Sequence, residues 1–171
     1  MIYGVGRRAG LHHSEAEDLV QDTVIAVAKK MPEFEYDPER CSFKNWLLMV
    51  TRSRLANLFR KINRRPPSAE QMILENHDEK VQTIEDVTQK IDAIWEEEWQ
   101  KNLMEQAIRR VKQEASIEQF QIFDLFVLKG MDGRKVASAL GVSMSKIYVT
   151  KHRLSKMVRT AFKELEKEAK S

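Results

Sequence analysis

The chain has 171 residues, enough for one or two small domains, and its composition excludes several classes of protein. The single cysteine, Cys41, excludes a disulfide framework and a cysteine-based zinc site. Apolar runs are too short for a membrane span, so we expect a cytoplasmic protein without membrane insertion. With only 6 Gly, 4 Pro and little strand-like alternation, the chain is predicted to be all-α.

The net charge of +3 conceals three segments of different sign. Residues 1–65 carry 12 Lys and Arg against 8 Asp and Glu, and residues 103–171 carry 14 against 8. The intervening residues 66–102 carry 3 against 10. Two long stretches, Ser42–Arg65 and Arg134–Lys163, contain no acidic residue. This pattern indicates two small helical domains that face nucleic acid, joined by a flexible acidic linker.

The first predicted element is an amphipathic helix that follows Ser14, whose hydroxyl would form a capping box with the carboxylate of Glu17. The positions predicted to face inward are Ala16, Leu19, Val20, Val24, Val27 and Met31. The opposite face carries Asp18, Gln21, Asp22 and Ile25. An isoleucine beside carboxylates indicates a protein-docking surface. The alternative is an ordinary acidic first turn, which the helix dipole favours.

A second, basic helix is predicted from about Phe43 to Ile62, after a loop over 32–42 that mixes aromatic and acidic residues. Aromatic rings stack on unpaired bases while Lys and Arg hold the phosphates, so this combination suits single-stranded DNA. The candidate contacts are Phe34, Tyr36, Arg52, Ser53, Asn57 and Arg60. Packing in the core is the alternative role of each single aromatic residue.

The segment after the second helix is predicted to be the linker. The pair Pro66–Pro67 cannot continue a helix, because proline lacks the amide donor and its ring clashes with the preceding turn. We assign 66–90 to this acidic, flexible or transiently helical linker. Helical spacing returns over 91–111, and a further apolar helix is expected over 120–127. Both helices are assigned to a C-terminal domain over 91–171.

The stretch 131–154 is predicted to form a helix-turn-helix. Gly141 supplies the left-handed backbone position after the first helix, and Ser143 caps the second. The outward residues of the second helix are Ser145, Lys146, Tyr148, Val149, His152, Arg153 and Lys156. We expect Ser145, Tyr148, Val149 and His152 to face base edges and the cations to face phosphates. A helical hairpin inside an ordinary bundle is the alternative.

Four stretches of this chain resemble a known family. Residues 16–27 (AEDLVQDTVIAV), Phe34–Arg40 (FEYDPER) and Phe43–Leu47 (FKNWL) look like region 2 of a bacterial RNA polymerase sigma factor. The stretch 130–154 looks like region 4. With regions 1 and 3 absent, the chain resembles the extracytoplasmic-function class of the sigma-70 family. The resemblance implies a region 2 domain over 1–65.

The resemblance also implies roles for the residues already named. The face that carries Asp18, Gln21 and Asp22 corresponds to the surface that grips the largest subunit of core polymerase. The aromatic loop and the outer face of the second helix correspond to the segment that opens the −10 element and captures a flipped base. The recognition helix corresponds to the reader of the −35 duplex. No cofactor and no catalysis are implied, and an anti-sigma factor is a further candidate partner.

The chain departs from the family pattern at three places. Ser53 stands where many members have asparagine, and Cys41 stands where glycine is common. The family's first helix usually begins before the position of Tyr3, so we expect the first domain to lack part of a packing helix.

Two other classes of protein compete with this interpretation. A conventional dimeric helix-turn-helix regulator would bind a palindromic duplex without polymerase, but it leaves the acidic helix face and the aromatic loop without a role. A metal-dependent enzyme would have to use His12, His13, Glu15 and Asp18. Adjacent histidines on a loop point in different directions, and no second ligand cluster follows, so this class is disfavoured.

Overall fold

A computed structural model describes residues 1–33, 42–64 and 84–170 of the chain. The helices are α1 (Ile2–Arg8), α2 (His13–Lys30), α3 (Phe43–Asn63), α4 (Ile84–Glu114), α5 (Ile117–Phe123), α6 (Gly133–Leu140) and α7 (Met144–Lys170). A 3-10 turn follows α2 at Met31–Glu33, and a π-helical turn follows α5 at Asp124–Leu128. No strand occurs in these ranges, which confirms the all-α prediction. None of these helices is long and apolar enough to cross a bilayer.

The chain divides into two compact units, which differ from the predicted domains. The first unit is Met1–Lys101 together with Ala169–Ser171, and the second is Asn102–Glu168. The predicted boundary lay at residue 91, so α4 contributes residues to both units instead of to the C-terminal domain alone. Most of the predicted linker, from 66 to 83, lies outside the described residues, and its last part is the first turns of α4.

The core of the first unit lies among α1, α2, α3 and the first half of α4. The buried apolar cluster includes Val5, Leu19, Leu55, Ile91 and Trp95. Gly6 lets α1 approach α2 closely. A Cβ atom at this position would lie 3.1 Å from the Leu19 side chain and 3.3 Å from the Ala16 side chain. The two units therefore differ from the predicted domains for a packing reason: Ile91 and Trp95 fill the core of the first.

Two details of α2 differ from the sequence analysis. The helix begins at His13, and the backbone N–H of His12 donates to the Glu15 carboxylate over 2.8 Å, so the predicted box of Ser14 and Glu17 is wrong. The inward stripe contains Ala16, Leu19, Thr23 and Ala26. Val24 and Met31 are 56% and 50% exposed, so their predicted inward positions are also wrong. Thr23 falls on the same helical arc as Ala16, Leu19 and Ala26, whereas Val24 is turned about 100° away from Thr23.

The predicted second helix is confirmed as α3. The hydroxyl of Ser42 accepts from the backbone N–H of Asn45 over 3.4 Å and caps the helix. Leu47, Val50, Leu55 and Leu58 are buried and form the apolar arc of the helix. The buried hydroxyl of Thr51 donates to the carbonyl oxygen of Leu47 over 2.8 Å, which satisfies a polar group inside the apolar arc.

The second unit contains the second half of α4 with α5, the π-helical turn, α6 and α7. Ile122, Val136 and Ile147 are fully buried and form a cluster with Leu125, Phe126, Ala137, Leu140, Val142 and Met144. Ile122 comes from α5, so the apolar helix expected over 120–127 does pack against α6 and α7. After residue 123 the α-helix changes to the π-helical turn, which was not predicted from the sequence.

The turn between α6 and α7 has the predicted geometry. Gly141 has φ 64° and ψ 33°, the left-handed conformation that ends α6. The Ser143 hydroxyl accepts from the backbone N–H of Lys146 over 3.2 Å and caps α7. At the start of α6, Asp132 accepts from the backbone N–H groups of Arg134 and Lys135. The starts of α6 and α7 are therefore both determined by a local side-chain cap.

Candidate nucleic-acid interface

The α2 outer face consists of Asp18, Gln21, Asp22 and Ile25, and all four are exposed in the first unit. Ile25 is 45% exposed and Val24, next to it, is 56% exposed. The structure thus brings two apolar side chains together with two carboxylates on one accessible helix face. The neighbouring His13 ring forms a hydrogen bond with the Tyr3 hydroxyl, with 2.8 Å between His13 Nδ1 and the hydroxyl oxygen. Its other nitrogen lies 3.4 Å from the Glu17 carboxylate.

The α3 outer face consists of Arg52, Ser53, Asn57 and Arg60. Ser53, Asn57 and Arg60 are exposed, and an Arg60 guanidinium nitrogen donates to the Asn57 amide oxygen over 2.8 Å. Arg52 is different, because its side chain is 35% exposed and pairs with Asp92 of α4. The structure therefore holds three exposed polar side chains and one paired arginine along this face. Phe34 and Tyr36, the candidate stacking residues, lie outside the described residues.

The first half of α4 carries a row of carboxylates that the sequence analysis assigned to the C-terminal domain, whereas they belong to the first unit. We call this row, Asp92, Glu96, Glu97 and Glu98, the acidic rim. Asp92 pairs with Arg52, and Glu96 pairs with Lys44 near the start of α3. Lys44 also lies over the Trp99 ring, 5.7 Å from its centroid.

The other half of the acidic rim faces α1. Glu97 lies 2.6 Å from Arg8, and Glu98 lies 3.8 Å from the same guanidinium group. Glu98 is only 9% exposed, and its carboxylate occupies the space where a side chain at Gly4 would be. The absence of a side chain at position 4 thus allows α4 to seat an acidic residue against α1.

The α7 outer face consists of the residues predicted to read duplex DNA. All of them are exposed: Ser145, Lys146, Tyr148, Val149, His152, Arg153 and Lys156. Tyr148 packs edge-on against Phe126 of the π-helical turn, with 5.8 Å between ring centroids. Lys151 lies 5.4 Å from the centroid of the same Phe126 ring. The π-helical turn therefore supports this helix from beneath, and Tyr148 keeps 56% of its surface exposed.

One cation of the α7 outer face is already paired. The Lys146 ammonium group lies 2.7 and 2.8 Å from the two carboxylate oxygens of Glu118 on α5. In the described part of the chain, no ion pair involves Arg153 or Lys156. Sequence reasoning missed Glu118 because it lies 28 residues earlier in the chain.

A second surface of this unit is apolar. A groove of about 340 Å³ lies between α4, α5 with its π-helical turn, and α7. Its walls include Met104, Ile108, Val127, Leu128 and Phe162. Arg159 and Ser155 are polar groups at the same groove.

A comparison with protein families finds a match over the first three helices. Residues 1–65 match the family model of sigma-70 region 2, a range that contains both the α2 outer face and the α3 outer face. Neither a curated protein nor a solved structure matches the chain. Proteins with this region are non-enzymatic initiation factors that bind core RNA polymerase and promoter DNA. The match shows that this part of the chain is similar to sigma-70 region 2.

Proposed function

We propose that the chain is a sigma factor of the extracytoplasmic-function class, with region 2 in its first unit and region 4 in its second. The observation that carries the proposal is the match of residues 1–65 to sigma-70 region 2, followed by α6, a short turn and the basic helix α7. Such a protein acts where core polymerase acts, in the cytoplasm. It makes and breaks no covalent bond, because the polymerase performs the chemistry.

The α2 outer face is the proposed surface for core polymerase. Its exposed carboxylates, Asp18 and Asp22, complement basic residues on a partner, and Ile25 adds apolar area that is buried on binding. Charged residues around an apolar centre are typical of protein interfaces. Gln21 supplies a neutral donor and acceptor at the same place.

The α3 outer face is the proposed surface for the −10 element. Unpairing a base costs a few kcal/mol, and the captured base must offset that cost through stacking and hydrogen bonds. Ser53 and Asn57 offer donors and acceptors for a base edge, while Arg60 and Arg52 offer charge for the phosphates. Phe34 and Tyr36 are the proposed stacking residues for unpaired bases.

The α7 outer face is the proposed reader of the −35 duplex. In a helix-turn-helix, the second helix lies in the major groove and its exposed side chains contact base edges. Tyr148, Val149 and His152 are exposed along α7, as this role requires. The cations Lys146, Arg153 and Lys156 are the proposed phosphate contacts, and Ser145 is a further proposed base contact.

The first experiment is a pull-down of bacterial core polymerase with the full chain. Asp18→Lys/Asp22→Lys should remove saturable binding, because it replaces attraction by repulsion at the proposed interface. The matched control is Glu105→Lys/Glu114→Lys, which makes the same charge change on exposed positions of α4. Equal loss in both variants, or no binding by a folded wild-type chain, would favour the conventional helix-turn-helix regulator. An anti-sigma factor that covers α2 would compete in this assay.

The second experiment tests strand opening. Arg52→Ala/Arg60→Ala should abolish permanganate reactivity of the −10 thymines while polymerase binding persists, because phosphate contacts are lost and polymerase contacts are kept. Unchanged reactivity in that double variant would contradict the proposed role of α3.

A further inference from the structure

The acidic rim of α4 covers cations at the nucleic-acid side of α3. Asp92 pairs with Arg52 and Glu96 pairs with Lys44, all within the first unit. Asp92 and Glu96 are four residues apart on one helix, so both carboxylates project from the same side of α4. Two cations of α3 are thus neutralised by the chain itself.

Burial, and not the ion pairs, holds the acidic rim in place. Ile91 and Trp95 directly precede Asp92 and Glu96, and each is only 1% exposed in the core of the first unit. Withdrawing α4 from α3 would expose the large Trp95 ring to water, which is strongly unfavourable. The helix α4 therefore stays beside α3 whether or not the ion pairs form, and its exposed carboxylate side chains can move when another anion replaces them.

The ion pairs themselves are accessible to solvent. The side chains are 35% and 65% exposed in the Arg52–Asp92 pair, and 21% and 52% exposed in the Lys44–Glu96 pair. Such pairs contribute little to stability, so another anion can replace the carboxylate without moving α4. Asp92 contacts one end of the guanidinium group, and the Arg52 Nε makes no hydrogen bond within the described residues.

We propose that the acidic rim is an internal competitor for nucleic-acid phosphates, which occupies Arg52 and Lys44 until DNA displaces it. This inference rests on the proposed function of the α3 outer face. Free chain then binds single strands weakly, since each phosphate contact at these cations first breaks an ion pair. Each released carboxylate also takes up a counterion, which cancels part of the counterion release that drives binding.

The salt dependence of binding tests this competition directly. The probe is a short, fluorescently labelled single-stranded DNA of mixed sequence, titrated with the full chain over a series of KCl concentrations. Asp92→Asn/Glu96→Gln removes both competing charges. Glu105→Gln/Glu114→Gln is the matched control, because it removes two charges from exposed positions farther along the same helix.

The expected results differ between the two variants. With Asp92 and Glu96 of the acidic rim neutralised, affinity at low salt should rise about fivefold beyond the control. The slope of log K against log salt should become steeper by about 1.4, since each freed cation adds about 0.7 for a single strand. The single variant Glu96→Gln retains the Asp92–Arg52 pair and should show about half of that change in slope.

Several outcomes would overturn the inference. Equal affinities and slopes for the acidic-rim variant and the control would show that only net charge matters. A lowered melting temperature without any change in DNA binding would show that the pairs merely stabilise α4. Glu96→Gln guards against a folding defect in the double variant, and an unchanged slope in a folded Glu96→Gln chain counts equally against the competition.

Arg60→Ala separates this inference from the proposed function. If Arg60→Ala weakens binding while the acidic-rim variant leaves it unchanged, α3 binds DNA and only the competition is overturned. If Arg60→Ala has no effect on binding in either background, α3 is not the DNA surface, and the proposed function and the inference are both overturned.

Discussion

The α3 outer face and the α7 outer face carry the same kind of charge in different surroundings. Near α3, Arg52 and Lys44 pair with carboxylates of α4. On α7, Lys146 pairs with Glu118, while Arg153 and Lys156 form no ion pair within the described ranges. Both stretches are free of acids in the sequence, so local composition alone cannot tell how much of their charge is available. Availability depends on what the fold packs beside them.

The largest expected effect is on the docking of α4 in the first unit. Trp95→Ala should destabilise the first unit by about 3–5 kcal/mol, because it leaves a cavity beside Ile91 and removes the main buried side chain of α4. The measurement is urea unfolding followed by circular dichroism. Trp95→Phe is the control, since it keeps a ring and removes an indole N–H that lacks a partner among the described residues. Equal losses in both variants would contradict this account.

A smaller effect is expected in the second unit, at the turn before α7. Gly141→Val should destabilise this unit by about 1–2 kcal/mol, because a β-branched residue is strained at φ 64°. No atom lies within 4 Å of the added Cβ, so the loss is conformational and not a clash. Thermal unfolding measures it. Ser138→Ala on the exposed side of α6 is the control, and a similar loss there would refute the explanation.

Arg153 and Lys156, which form no ion pair within the described residues, should dominate duplex binding. Arg153→Gln/Lys156→Gln should weaken binding of duplex promoter DNA about tenfold, with a salt slope that is shallower by about 1.8. Lys112→Gln/Lys163→Gln removes the same charge elsewhere in this unit and should leave the slope unchanged. Anisotropy titrations across a salt series would measure both. A slope that stays at the wild-type value in the first variant would show that α7 does not hold phosphates.

The smallest effect tests the Glu118–Lys146 ion pair at the α7 outer face. Glu118→Gln should strengthen duplex binding about threefold, because it frees Lys146 for a phosphate. Glu105→Gln is the control of equal charge. If both variants strengthen binding alike, the Glu118–Lys146 pair has no specific part, and the contrast between the two outer faces becomes sharper.

Local sequence chemistry was sufficient for many elements. The all-α class, α3 from Phe43, the left-handed Gly141 and the Ser143 cap were predicted, because each depends on periodicity or on neighbours a few residues away. The prediction from local sequence was wrong where two residues could each cap the same helix. Ser14 and His12 both precede a suitable acid, and the helix uses His12 with Glu15. Val24 was predicted inward, but Thr23 takes the buried position because it lies on the helical arc of Ala16, Leu19 and Ala26.

What the sequence alone determined was therefore the all-α class, the helices α2, α3, α6 and α7, the turn at Gly141 and the sign of the charge along the chain. Only the tertiary structure decided where the division of α4 falls, which cations the acidic rim neutralises, and that Glu118 holds Lys146. The physical reason is range. Hydrogen bonds within a helix join residues four apart, whereas Asp92 reaches Arg52 across 40 residues of chain, and only packing around Ile91 and Trp95 brings them together.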